Sequence, residues 1–135
     1  MPDTSANPHV SDATAETFET DVLQAATTAP VLVDFWASWC GPCKTLGPIL
    51  ERVIDATEGR VVLAKVDVDA NPRVSATFKV QSIPAVSALM DKRVVDSFVG
   101  AVPEAQIQAF VNKLSPPRSD TALPVGEGDE DALRA

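Results

Sequence analysis

A chain of 135 residues, 45% hydrophobic and 22% charged, is long enough for one domain with an adequate core. Its net charge of −8 argues against nucleic acid and anionic membrane surfaces as partners, because both require a cationic face. No apolar run approaches a membrane span, and Met1-Pro2-Asp3-Thr4-Ser5-Ala6-Asn7-Pro8 has neither the basic region nor the apolar core of a secretory signal, so the two cysteines are expected to form a catalytic pair in a reducing cytoplasm.

Residues 1–8 are polar and Pro-containing, and are expected to be loose. His9-Val10 starts a short edge strand. Ser11 to Thr14 then offers N-caps for an amphipathic helix with Phe18, Val22, Leu23 and Ala26 on one side. Thr27-Thr28-Ala29-Pro30 breaks that helix. Val31 to Trp36 is apolar apart from Asp34, the pattern of a strand buried on both faces of a parallel sheet. After Trp39-Cys40-Gly41-Pro42-Cys43 comes a helix from Pro42, with Leu46, Ile49, Leu50, Val53 and Ile54 at helical spacing. Gly47-Pro48 should kink it and Gly59 should end it.

Val61 to Val68 reads as a second central strand, and Asn71-Pro72 opens a short helix containing Val74 and Phe78. The order strand, helix, strand, helix implies a parallel βαβ unit with a right-handed crossover. Ala85–Leu89 and Arg93–Val99 pair as an antiparallel hairpin around Met90-Asp91-Lys92. Lysine at a positive-φ turn position is unfavourable, so a turn other than the usual Asn-Gly type is expected there. A last helix starts at Pro103-Glu104 with Ile107, Phe110, Val111 and Leu114 inward, and Ser115-Pro116-Pro117 stops it. Residues 115–135 are polar and acidic, with too few large apolar side chains to pack as a domain. They read as a linker or acidic tail. Gly128 to Ala135 carries acidic residues before helix formers, so it also fits the first turn of a helical region cut short.

The chemistry centres on the two cysteines. A Cys-x-x-Cys at a strand–helix junction is a redox motif, because the helix N-terminus offers unpaired N–H groups and partial positive charge that favour a thiolate. Cys40 is the expected nucleophile. Cys43, one turn in, is expected to be more buried and to resolve the mixed disulfide. Half of a zinc site is the competing reading. It needs four ligands, and the chain supplies two cysteines and one distant histidine, His9, which is expected to be inert. Asp34 is a carboxylate inside an apolar strand, so burial should raise its pKa and suit it to take the Cys43 proton. The alternative for Asp34 is a buried group kept for fold specificity. Pro42 fits the first helical turn. Ile83-Pro84 ends a loop and starts a strand, which suits a cis bond.

The run Val33-Asp34-Phe35-Trp36-Ala37-Ser38-Trp39-Cys40-Gly41-Pro42-Cys43-Lys44 resembles the thioredoxin family. So do Ala64-Lys65-Val66-Asp67-Val68-Asp69, Ile83-Pro84 and Val99-Gly100-Ala101 at the family's spacing. The resemblance covers about residues 10–114. It implies an α/β thioredoxin fold over residues 9–114, with a central mixed sheet of four to five strands flanked by helices. It implies a protein disulfide reductase with no bound cofactor or metal, whose working group is the redox-active Cys40–Cys43 disulfide. A reductase using NADPH would recharge the pair, and the protein would act as a monomer on disulfide-containing or unfolded proteins. By the same resemblance Lys65 faces Asp34, and Gly41 and Pro42 set the geometry and reducing potential of the pair. Trp39, Ile83, cis-Pro84, Val99, Gly100 and Ala101 border an apolar groove that takes an extended partner peptide.

Two departures are visible. The strand Ala85-Val86-Ser87-Ala88-Leu89 has smaller residues than usual for the family, and Asp91-Lys92 replaces the usual turn. With the polar tail, they look more like the thioredoxin domain of bacterial chaperone-like relatives that continue into tetratricopeptide repeats. That gives the alternative reading of a redox-active holdase that binds unfolded clients and protects their thiols.

Overall fold

Alternating β-branched and aliphatic residues commit the middle of the chain to strands, and the computed structural model, described here over residues 9–115, gathers these into one five-stranded mixed sheet. The strands are β1 (Val10–Asp12), β2 (Val31–Trp36), β3 (Val62–Asp67), β4 (Ala85–Met90) and β5 (Arg93–Val99), in the spatial order β1-β3-β2-β4-β5. β1, β3 and β2 run parallel, while β4 is antiparallel to β2 and β5 to β4. The helices are α1 (Gly41–Asp55), α2 (Pro72–Thr77) and α3 (Glu104–Leu114). The expectations for residues 1–8 and for the tail beyond Ser115 lie outside the described residues.

β2 is central and its side chains alternate between two packed layers. Leu32 joins Leu46, Leu50, Val53 and Ile54 of α1 and Ile107, Phe110 and Val111 of α3. Val31, Val33 and Phe35 join Val22, Ala26, Val66 and Val74 on the other face. Each fully buried aliphatic or aromatic side chain contributes roughly 1.5–3 kcal/mol. By this alternation Asp34 shares the face of Leu32, under α1. The register sets Lys65 of β3 beside it, and Val86 of β4 on its other flank.

Three local expectations are corrected. The amphipathic segment does not form an α-helix from Ser11–Thr14. β1 runs on to Asp12, and the segment closes as a π-helical turn at Glu19–Gln24 followed by a 3-10 turn at Ala25–Thr27. Threonine side chains divert the backbone: Thr14 N–H donates to Thr17 Oγ1 (2.9 Å), Thr17 N–H to Thr14 Oγ1 (3.2 Å), and Thr27 Oγ1–H to the Gln24 carbonyl (2.6 Å). The inward side chains are nonetheless as read, with Val22 and Ala26 buried and Phe18 and Leu23 packed beside them.

The hairpin turn is the second. Asp91 and Lys92 both adopt positive φ, 55° and 69°. This is the left-handed pair of an Asn-Gly turn, taken without either residue. The right-handed twist of the flanking strands selects it, and the Asp91 N–H donates to the Ala26 carbonyl at 2.8 Å, holding the tip against the body. The third concerns the end of α1, which lies at Asp55, ahead of Gly59. Thr57 Oγ1–H donates to the Ile54 carbonyl (2.7 Å), and positive φ at Glu58 and Gly59 then carries the turn into β3.

Candidate active site

β2 ends at Trp36 and α1 begins at Gly41, so the cysteine motif sits where a central strand hands over to a helix. Cys40 is the N-cap of α1, in an extended conformation, and its Sγ accepts a hydrogen bond from the Cys43 N–H at 3.2 Å. A helix N-terminus presents such unpaired donors to a sulfur, and each lowers the cost of negative charge there. Pro42 stands in the first turn, where it has no hydrogen bond to lose. Cys40 and Cys43 are joined as a disulfide, with Cα atoms 5.3 Å apart. Cys43 is not the more buried of the two: Cys40 is 4% exposed and Cys43 5%. As one disulfide they occupy a single apolar nest with Ala37, against which Trp36, Val68 and Ile83 pack.

Behind the disulfide lies a cavity of about 240 Å³ lined by Asp34, Trp36, Cys43 and Lys44, then Gly47, Pro48, Glu51 and Lys65. Asp34 is 2% exposed, and its Oδ1 has no hydrogen-bond partner among the described residues. Burial pushes its pKa from 3.8 up to about 7; Lys65 lowers it and Glu51 raises it. Lys65 does face Asp34 across the β2–β3 register, yet its ion pair is with Glu51, Nζ to Oε2 at 3.0 Å. Its ammonium lies 5.7 Å from the Trp36 ring centroid.

On the other side, Trp39 is 67% exposed, but its Nε1–H donates to Asp69 Oδ2 at 2.7 Å, which orients the ring. The Ile83–Pro84 bond is cis, and Ile83 packs against the cysteine nest. A groove of about 480 Å³ runs between Trp39 and Ile83, completed by Val68, Ser75, Val80, Gln81 and Ser82. Val99, Gly100 and Ala101 are not part of that lining. They lie on the far flank of Pro84, where the Gly100 N–H donates to the Pro84 carbonyl at 2.8 Å, and Val99 is 61% exposed. Gly41 and Gly100 both face open space.

Sequence reading missed Glu51 and the Val80–Ser82 stretch. Glu51 is a polar position between the apolar ones of α1 and carries no motif of its own. The available signal was its spacing: Cys43, Gly47 and Glu51 recur every four residues and share one helix face. Among the described residues no group of three or more His, Cys, Asp or Glu side chains is placed to hold a metal ion, and no helix is long and apolar enough to cross a membrane.

A disulfide at a helix N-terminus, with a buried carboxylate behind it and an apolar groove beside it, defines a thiol–disulfide oxidoreductase. The thioredoxin family model matches residues 9–113. The chain is 44% identical over 102 residues to a thioredoxin of Chlorobaculum thiosulfatiphilum, covering 76% of this chain and 93% of that protein. It is 39% identical over 109 residues to a thioredoxin of Synechocystis, covering 81% and 97%, and 46% identical over 97 residues to mitochondrial thioredoxin of Bos taurus, covering 72% and 57%. The chain belongs to the thioredoxin family and is a thioredoxin-type protein disulfide reductase. These likenesses do not favour the client-holding alternative.

Proposed function

We propose that the reduced pair works in the order Cys40, then Cys43, with Asp34 as the proton acceptor. The Cys40 thiolate attacks one sulfur of a substrate disulfide; a Cys40–substrate disulfide forms and the first substrate thiolate leaves. Cys43 gives its proton to the Asp34 carboxylate and attacks Cys40 Sγ. The Cys40–Cys43 bond forms, the second substrate thiolate leaves, and the substrate is reduced by two electrons. The observation that carries this reading is the Oδ1 of Asp34, without a hydrogen-bond partner among the described residues and beside a cavity that Cys43 also lines.

Substrate polypeptide lies along Trp39, Ile83 and Pro84, with Val99, Gly100 and Ala101 beyond the proline as a second bank. Trp39 is a large exposed aromatic held in one orientation, the kind of residue that anchors a partner at low entropic cost. An NADPH-dependent reductase returns the disulfide to the dithiol, and the protein acts as a monomer in a reducing compartment.

Trapping tests the order. Cys43→Ser is expected to accumulate a covalent complex with substrate through Cys40, visible by mass spectrometry, and Cys40→Ser to form none and reduce nothing. A substrate found attached to Cys43 of Cys40→Ser would reverse the roles.

A further inference from the structure

The proton acceptor shares its cavity with an ion pair that the reaction scheme above does not use. The groups facing Asp34 can be enumerated by element. β3 presents Lys65, and β4 presents the apolar Val86. α1 presents Cys43, Lys44 and Glu51 around the cavity wall. Lys65 stands directly in register with Asp34, so an ammonium there would naturally close onto the carboxylate. Among the described residues it does not. Its Nζ is bonded to Glu51 Oε2 at 3.0 Å, and both side chains of that pair are under one-third exposed.

Gly47 lies beside this path. A Cβ there would meet Lys65 Nζ at 3.8 Å, an ordinary contact, so the ammonium passes close to the helix backbone one turn after Cys43 and one turn before Glu51. The carboxylate of Glu51 thus holds the cation on the helix side of the cavity and leaves Asp34 Oδ1 unpaired.

We propose that Glu51 is a positioning residue for the resolving step: by engaging Lys65 it keeps the ammonium from pairing with Asp34, and so keeps that carboxylate basic enough to take the Cys43 proton. An Asp34–Lys65 ion pair would stabilise the carboxylate and make it a weaker base. The inference rests on the proton-acceptor reading of Asp34. It adds a second residue whose own charge never meets the substrate.

The test uses the reduced full chain. The Asp34 carboxyl is titrated by carbon NMR, and resolution of a Cys40 mixed disulfide is followed against pH, in wild type and in Glu51→Gln, Glu51→Asp, Lys65→Met and Asp34→Asn. Glu51→Gln is expected to move both the Asp34 titration and the kinetic limb down by about half a pH unit or more. It should also lower the resolution rate on the plateau above the limb. Glu51→Asp should restore most of the shift. Lys65→Met should move both midpoints up, and in that background Glu51→Gln should have a smaller effect. If the limb vanishes in Asp34→Asn yet stands unmoved in Glu51→Gln, the positioning role is overturned and the proton-acceptor role stands. If the limb persists in Asp34→Asn, the proton-acceptor reading falls, and this inference with it.

Discussion

At Asp34 the proposed proton acceptor and a stability cost meet in one side chain. The folded pKa, about 7, lies above the ordinary 3.8, so the native state binds a proton that the unfolded chain releases. The sign follows from linkage. The neutral carboxyl is accommodated below pH 4, and stability from this group is lost as pH rises through about 7. Asp34→Asn should therefore stabilise the protein, and the gain should grow between pH 4 and pH 8 to a few kcal/mol, at about 1.4 kcal/mol per pKa unit. Paired urea titrations of wild type and variant across that range measure the difference directly. Because the carboxylate must be ionised to accept a proton, resolution by wild type should speed up as pH rises through about 7 and level off above it. In Asp34→Asn it should fall about a hundredfold and lose that dependence. A variant with wild-type turnover and a lower unfolding midpoint would make Asp34 purely structural.

The β4–β5 hairpin shows an element overruling its own residues. Asp91 and Lys92 sit in the left-handed region at a cost of roughly 1 kcal/mol or more each, because Cβ crowds the following carbonyl. Glycine has no such crowding and asparagine tolerates it better. The double change Asp91→Asn with Lys92→Gly should stabilise the protein by about 1 kcal/mol and raise Tm by several degrees, read by calorimetry, with reductase activity unchanged. Nearby, the register slips between Ala88–Asp96 and Leu89–Val94, so Val95 is left over as a bulge and stands half exposed with Val94. Another element depends on a single amide. Buried Asn71 accepts from the Ala15 N–H (2.9 Å) and donates to the Asp67 carbonyl (3.1 Å), tying the segment after β1 to the end of β3. Asn71→Ala should cost about 1–3 kcal/mol, since it orphans the Ala15 N–H, while the backbone N–H at position 71 still donates to the Asp67 carbonyl. A denaturation midpoint within error of wild type would show that water replaces the amide.

For the molecule as a whole, the sheet order gathers the cysteines, Asp34 and Lys65 around the central strand and its parallel neighbour. The cysteines follow the C-terminal end of β2, Asp34 lies within β2, and Lys65 lies on its parallel neighbour. Among the described residues the sheet and its helices span Val10 to Leu114, and the Arg60 Nη1–H donates to the Ser115 carbonyl at 2.9 Å to close the last helix onto the body. A chain ending after Ser115 should thus retain reductase activity and a Tm within a few degrees of the full chain. Loss of activity on that truncation would assign the acidic tail a working role.

The sequence by itself determined the elements whose signal is local. An apolar run with one carboxylate marked the buried strand, Cys-x-x-Cys before a helical pattern marked the redox pair, and Ile83-Pro84 marked the loop beside it. These were legible because periodicity, N-terminal helix chemistry and proline geometry act over a few residues. Only the tertiary structure decided which charges meet. Lys65 lies fourteen residues from Glu51 and thirty-one from Asp34, and the sequence reading set it only against Asp34. The choice of Glu51 depends on how α1 lies across β3, which brings the Glu51 carboxylate within 3.0 Å of Lys65 Nζ. The turn at Asp91-Lys92 and the π-helical turn at Glu19–Gln24 were likewise set from outside, by sheet twist and by packing of Val22 and Ala26 into a core already shaped by distant strands. Packing over long sequence separations leaves no local trace in composition, and that is why those features had to be seen.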